Sequence, residues 1–169
     1  MITITNPEYR LISDHQFAVV RQNLLNNQKA FFAQISYKAG DVVSTFHAGA
    51  VLDQPTYLTV QVDVHSHILL QPEHLQYINH SCNPNVFFDT HAMVIVALKD
   101  ICVGDEMTFF YPSTEWDMAQ PFTCNCNHSN CLGQIRGAAH IPLDIIRNYK
   151  LTRFIQQQLH DRSGTERRA

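Results

Sequence analysis

Nowhere does this chain approach the roughly 18 consecutive apolar residues that a membrane-spanning helix needs. Residues 1–10 lack a basic segment followed by an apolar one, so a leader for export is not expected. Charge is sparse: 16% of the 169 residues are charged and the formal net charge is -3, which gives no overall pull toward nucleic acid. Internal repeats and low-complexity linkers are missing as well. What is present, 45% hydrophobic residues, is enough for one core in a chain of this length and too little for two. The expectation is one domain with short terminal extensions and neither nucleic acid nor membrane as a direct partner. No pattern in the chain fixes an oligomeric state.

An even set of cysteines is also absent. There are five, Cys82, Cys102, Cys124, Cys126 and Cys131, and three of them fall within eight residues. Odd and clustered thiols argue against a disulfide framework. A bridge within Cys124-Asn125-Cys126 would be badly strained, whereas a metal accepts closely spaced thiolates. The usage points to an intracellular, reducing compartment: the cytoplasm first, or the nucleus in a eukaryote. The loop from Phe122 to Gly133 is too polar to bury three cysteines in a hydrophobic core, which favours a metal site. Three thiolates leave a zinc ion one ligand short, and Cys82 or His128 could complete it. Cys102, in the apolar run Leu98 to Val103, reads as a small core residue.

Secondary structure reads as mostly β. Runs at Phe17–Val20, Ala30–Ile35, Val42–Phe46, Leu58–Val62, Val86–Phe88 and Ala92–Leu98 are rich in β-branched and aromatic residues and end in turn formers. Lys38-Ala39-Gly40-Asp41 and Cys102-Val103-Gly104-Asp105 look like matching turns. Many short strands with little helix imply small packed sheets. Behind Pro142, apolar residues recur near helical spacing from Leu143 to His160, which predicts one amphipathic helix. Residues 161–169 are polar and read as a frayed tail.

Two further segments carry candidate chemistry. Tyr77-Ile78-Asn79-His80-Ser81-Cys82-Asn83-Pro84-Asn85 packs amides and hydroxyls between apolar runs, which calls for turns or for a ligand. Gly104-Asp105-Glu106 through Tyr111 is a turn feeding an aromatic strand, and by itself a core strand. Together with the cysteine loop, these segments resemble the SET-domain protein lysine methyltransferases that carry a post-SET zinc motif. The signature asparagine-histidine-serine-cysteine-x-proline-asparagine stands complete as Asn79 to Asn85. The cysteine-x-cysteine-x4-cysteine motif stands as Cys124, Cys126 and Cys131. The resemblance covers roughly residues 28 to 133, including Tyr37 to Asp41 as the family's glycine turn.

That resemblance implies a mostly β, β-clip fold of several small sheets around a pseudoknot, with a zinc-stapled post-SET loop and a C-terminal α-helix. It divides the chain into an N-terminal extension (1–27) packing on the SET core, the SET domain (28–113), the post-SET segment (114–140), the C-terminal helix (141–160) and the tail (161–169). It implies S-adenosylmethionine as cofactor, leaving as S-adenosylhomocysteine, and one structural zinc held by Cys82, Cys124, Cys126 and Cys131. Tyr111 becomes the catalytic hydroxyl. Lys29, Ala30, Tyr77, Asn79, His80 and Phe122 become cofactor contacts, and Phe46, Phe109 and Phe110 line a substrate channel. Glu106 braces its turn. The partner implied is a protein or peptide with a target lysine. The chain departs from the family pattern in having Gln28-Lys29-Ala30 in place of glycine-x-glycine, Phe110 in place of an aspartate, Phe46 in place of a tyrosine, and no cysteine-rich region before the domain. A non-catalytic SET-like peptide-binding module and a methyltransferase of small-molecule amines are the rival readings.

Overall fold

The computed structural model describes residues 8–166. Its strands in chain order are β1 (Tyr9–Asp14), β2 (Ala18–Asn23), β3 (Lys29–Ala33), β4 (Val42–Thr45), β5 (His47–Leu52), β6 (Thr59–Asp63), β7 (Ser66–Gln71), β8 (Asn79–His80), β9 (Val86–Asp89), β10 (Val94–Ala97), β11 (Thr108–Phe109), β12 (Phe122–Thr123) and β13 (Gln134–Ile135). They form three three-stranded sheets, ordered β1-β2-β3, β4-β10-β9 and β5-β7-β6, and two pairs, β8 with β11 and β12 with β13. This is the mostly β arrangement of small sheets that the sequence implied. No helix among the described residues is long and apolar enough to cross a membrane.

Alternation along the strands sorts side chains between two compartments. In β3, Phe31 and Ala33 enter the main core with Ala18, Val20, Leu75, Ile78 and Phe88, while Ala30 and Phe32 face the other way and meet Val19. Tyr9 meets Phe32 edge-on at 5.2 Å, and the Arg21 guanidinium lies 5.2 Å from the same ring. Residues 9–23, expected as an extension packed on the core, join β3 in one antiparallel sheet in which β2 pairs with β3 and β1 pairs with β2. Residues 1–7 of that expected extension lie outside the described residues.

The two matching turns form as the sequence predicts. Asp41 Oδ2 accepts the Lys38 N–H at 2.7 Å, and Asp105 Oδ2 accepts the Cys102 N–H at 2.8 Å. Gly40 and Gly104 take φ of +94° and +90°, a region that favours glycine. The turn at 102–105 faces outward, so Cys102 is exposed rather than a core residue.

The C-terminal region differs from the single amphipathic helix expected over 141–160. α1 (Leu143–Ile146) stops after one turn, and α2 (Arg153–Glu166) begins after six intervening residues. Two tertiary anchors break the helix. The Tyr149 ring stacks on Phe110 at 3.7 Å and its hydroxyl donates to the Cys82 carbonyl at 3.0 Å. Thr152 donates its N–H to the Ser113 carbonyl, and its hydroxyl accepts the Ile155 N–H, which starts α2 afresh. The helix also runs through 161–166, where a frayed tail was expected; Arg162 fixes it by donating to the carbonyls of Ala139 and Ile141. Residues 167–169 of that tail lie outside the described residues. Ile146, Ile155 and Leu159 join Phe110, Ala138 and Ile141 in a second core.

Candidate active site

The site grows from the parallel pair β8 and β11, where Asn79 sits opposite Thr108 and His80 opposite Phe109. Asn85 locks the pair: its amide Nδ2 donates to the Glu106 carbonyl at 2.8 Å and its Oδ1 accepts the Thr108 N–H at 2.8 Å. On the far side, Tyr149 and Asn130 both donate to the carbonyl of Cys82. The segment 79–85 is thus held between 106–111 and the cysteine loop, in the pseudoknot the resemblance implied.

Each polar group at this crossing has a defined partner. Asn79 Nδ2 donates to the Lys29 carbonyl at 2.8 Å and to Glu106 Oε1 at 3.2 Å. Burial pushes the Glu106 carboxyl above its usual range, against the lowering effect of the Asn79 bond. His80 Nδ1 accepts the Tyr111 N–H at 3.2 Å, which leaves its ring proton on Nε2, 3.4 Å from Cys82 Sγ. Burial depresses the imidazole to about 4, so it is neutral at physiological pH. Burial first, then the nearby Glu106 charge, raises the Tyr111 phenol to about 12, which keeps its proton in place.

Two cavities meet here. A polar one of about 620 Å³ is lined by Ala30, Asn79, His80, Glu106, Tyr111 and Phe122 among others. An apolar one of about 310 Å³ is lined by Ile78, Phe109, Tyr111, Glu115, Met118 and Phe122 among others. Tyr111 and Phe122 line both. Four of the six expected cofactor contacts, Ala30, Asn79, His80 and Phe122, thus face one cavity. Lys29 and Tyr77 face neither: Lys29 Nζ donates to the Tyr77 hydroxyl at 3.3 Å and lies 4.8 Å over its ring.

Of the three expected channel residues, Phe109 alone lines either of these two cavities. Phe110 is a correction: alternation turns it away from Phe109 into the second core against Tyr149. Phe46 is another: it is 3% exposed, packs on Phe88 at 5.5 Å and belongs to the main core.

Glu115 was not singled out by the sequence. A short 3-10 turn at Tyr111–Ser113 carries the chain so that the Glu115 N–H donates to the Tyr111 carbonyl at 3.0 Å. Glu115 is 8% exposed, and its Oε1 accepts the Gln61 N–H of β6 at 2.8 Å and the Thr114 hydroxyl at 3.0 Å. Gln61 reciprocates, its Oε1 accepting the Trp116 N–H. Across this turn Gly137, at φ +115°, approaches so closely that a Cβ would stand 2.5 Å from the Trp116 carbonyl oxygen. The available signal was a carboxyl four residues after the tyrosine.

Burial raises the Glu115 carboxyl from its ordinary 4.5 to about 7, the hydrogen bonds from Gln61 and Thr114 opposing. The folded chain therefore binds this proton more tightly than the unfolded one. The group favours folding fully below about pH 4.5, and that contribution declines as pH rises to 7. Glu115→Gln is expected to remove the decline. Relative to wild type, the variant should gain on the order of 3 kcal/mol between pH 4.5 and pH 8 in urea unfolding. Parallel pH dependence in the two proteins would show that the carboxyl does not titrate in this way.

The cysteine loop closes beside the polar cavity. The Sγ atoms of Cys82, Cys124, Cys126 and Cys131 all lie within 4.8 Å of one another, with Cys82 and Cys124 at 3.9 Å. A tetrahedral zinc–thiolate shell has sulfur–sulfur edges of about 3.8 Å, so the donor set fits one zinc ion. Burial pushes the Cys82 thiol up, and the Cys124 thiol to about 11, so these sulfurs would stay protonated without a cation to hold them as thiolates. The fourth donor in this cluster is Cys82; His128 is exposed and outside it.

A pseudoknotted β fold with an Asn-His pair, a partly buried tyrosine and a four-cysteine cluster defines a methyltransferase of the SET type. Residues 4–112 match the SET domain model, and the chain belongs to that family. The match begins ahead of the expected boundary at 28 and takes in β1 and β2. Over 133 residues the chain is 37% identical to Methyltransferase flvH of Aspergillus flavus, covering 78% of this chain and 74% of that protein. It is 38% identical over 83 residues to an H3 lysine-36 specific histone-lysine N-methyltransferase of Chaetomium globosum, 42% of this chain and 9% of that one. Among solved structures, ctPRC2 in an autoinhibited conformation bound to S-adenosylmethionine aligns with 78% of this chain and 21% of its own, at TM-score 0.45 and 16% identity.

Proposed function

We propose that the protein transfers methyl groups from S-adenosylmethionine to the side-chain amine of lysine in a protein substrate. The observation that carries this reading is the meeting of a polar and an apolar cavity at Tyr111 and Phe122. The donor set of the polar cavity fits the cofactor: a carboxyl at Glu106 for a cationic group, the Asn79 and His80 edges for its amino and adenine ends, and the Phe122 ring to cover the base. Lys29 and Tyr77 act one step removed, since the Lys29 carbonyl holds the Asn79 amide. When bound, S-adenosylmethionine supplies a methyl group on a cationic sulfur.

The chain's own residues do the rest. The apolar cavity admits the aliphatic stem of lysine between Ile78, Phe109 and Phe122. A lysine amine has an ordinary pKa of about 10.4, so only about one in 10³ to 10⁴ is neutral at pH 7. Burial among these walls disfavours the ammonium and makes the lone pair available. Tyr111, held protonated, orients the amine through its hydroxyl and offers a dipole to the charge near the transferring carbon. Asn79, His80 and Cys82 share one short segment, so the zinc cluster sets the position of the cofactor contacts. Free thiols at these ligands fit a reducing compartment.

The test is incubation with tritiated S-adenosylmethionine and cell extract, followed by identification of the labelled molecule. Label on protein lysine is the expected result. Label only in small molecules would point to a free-amine substrate, and cofactor binding without any transfer would point to a non-catalytic module.

A further inference from the structure

The apolar cavity holds one feature that an alkyl-binding slot does not need. Among its described lining residues there is one carboxyl group, Glu115, and no Lys, Arg or His. The other polar side chains there are Thr56, Thr59, Gln76, Gln120 and the hydroxyls of Tyr57 and Tyr111, none of them a cation. A carboxylate buried to this degree is costly unless a positive group meets it. Among the described residues its donors are neutral, the Gln61 N–H and the Thr114 hydroxyl, and both end on Oε1. Those two bonds, with Gln61 tied in return to Trp116, fix the carboxyl from β6 and from its own turn.

We propose, resting on the functional reading above, that Glu115 receives the ammonium group of the entering substrate side chain and takes its proton. The amine N–H bond breaks, the proton passes to the carboxylate, and the freed nitrogen lone pair faces the methyl donor. Glu115 ends as a neutral acid and returns its proton to solvent after the product leaves. Placement supports this. Glu115 follows Tyr111 by one turn and lines the same cavity, so the group that accepts the proton and the hydroxyl that orients the amine come from one rigid segment. Burial also makes this carboxyl a stronger base than an exposed one, which suits it to an ammonium whose own acidity the apolar walls increase. The ligand class that follows is a primary alkylammonium with a slender apolar stem.

The experiment uses n-butylammonium as the probe, with n-butanol as its uncharged counterpart, in NMR titrations of the full chain at pH 8. Wild type should bind the ammonium in preference to the alcohol. Glu115→Gln, which keeps a hydrogen-bond acceptor for Gln61, should weaken ammonium binding about tenfold or more and leave the alcohol unchanged. Glu115→Asp, which keeps the charge, should retain the preference. In methyl-transfer assays Glu115→Gln should lower kcat/KM by a similar or larger factor at unchanged S-adenosylmethionine affinity. Equal weakening of both probes in Glu115→Gln would mean that the carboxyl only braces its turn, and an unchanged ammonium affinity would also overturn the proposal. The two readings fail separately: ammonium selectivity that depends on Glu115 in a protein without transfer activity sinks the methyltransferase reading alone, and transfer by a wild type that ignores alkylammonium sinks this one alone.

Discussion

Tyr111→Phe is expected to lower methyl transfer by about 10² or more while cofactor affinity and folding stay close to wild type. The tyrosine ring is held by packing that phenylalanine keeps: Phe109 at 4.7 Å, His80 at 5.2 Å and Phe122 at 5.9 Å. Its backbone N–H still donates to His80 Nδ1. What is lost is one hydroxyl whose one protein acceptor among the described residues, the Ile78 carbonyl, stands at 3.5 Å, so little stability goes with it. That hydroxyl is free to engage a substrate amine, and its effect falls on the transition state. Steady-state transfer rates, calorimetric cofactor affinity and thermal melting on the same preparation make the comparison. A wild-type rate at matched stability removes Tyr111 from the mechanism.

Removing the metal should have an effect of similar size by a different route. Cys131→Ser, or a strong chelator, is expected to weaken S-adenosylmethionine binding by about tenfold or more and to abolish most activity, with the β core intact. Cys82 follows His80 by two residues and Cys124 follows Phe122 by two, so one zinc ion ties together two walls of the polar cavity. Apart from the metal, the loop from 122 to 132 is held by the two-residue pair of β12 with β13, the N–H of Cys124 donating to Gly133, Asn130 donating to the Cys82 carbonyl, and the packing of Phe122 and Leu132 on Ile135. Structural zinc contributes on the order of 10 kcal/mol in small thiolate sites, far more than those contacts. The main core lies on other sheets and does not depend on it. Elemental analysis, calorimetry and circular dichroism on the same samples read the three quantities. Full cofactor affinity in zinc-free protein would break the coupling, and native protein without stoichiometric zinc would undo the site itself.

Much of this was legible in the sequence because the chemistry is written in contiguous motifs. The residues from Asn79 to Asn85 need each other at short range, and Asn85 bonding both Glu106 and Thr108 explains why two distant polar motifs occur together. The twin turns were legible because an aspartate after glycine can satisfy its own turn locally. The sheet β5-β7-β6 was only partly visible. Its strand β5 is mostly exposed, and without a buried face its residues show no hydrophobic alternation to read.

The residues themselves determined a mostly β class and the three clustered thiols, which depend on residue type and local order, and the resemblance to the family added Cys82 and the tyrosine. Tertiary structure decided which side chains face the site. Phe109 and Phe110 are adjacent and identical in type, and on a strand covered on both faces alternation alone cannot say which turns to the cavity. The answer came from Tyr149, 39 residues on, which claims Phe110 and breaks the expected helix in doing so. Glu115 was hidden for the same reason. Its role depends on being buried against β6 beside Tyr111, and burial is a property of the whole packed chain rather than of any window of sequence.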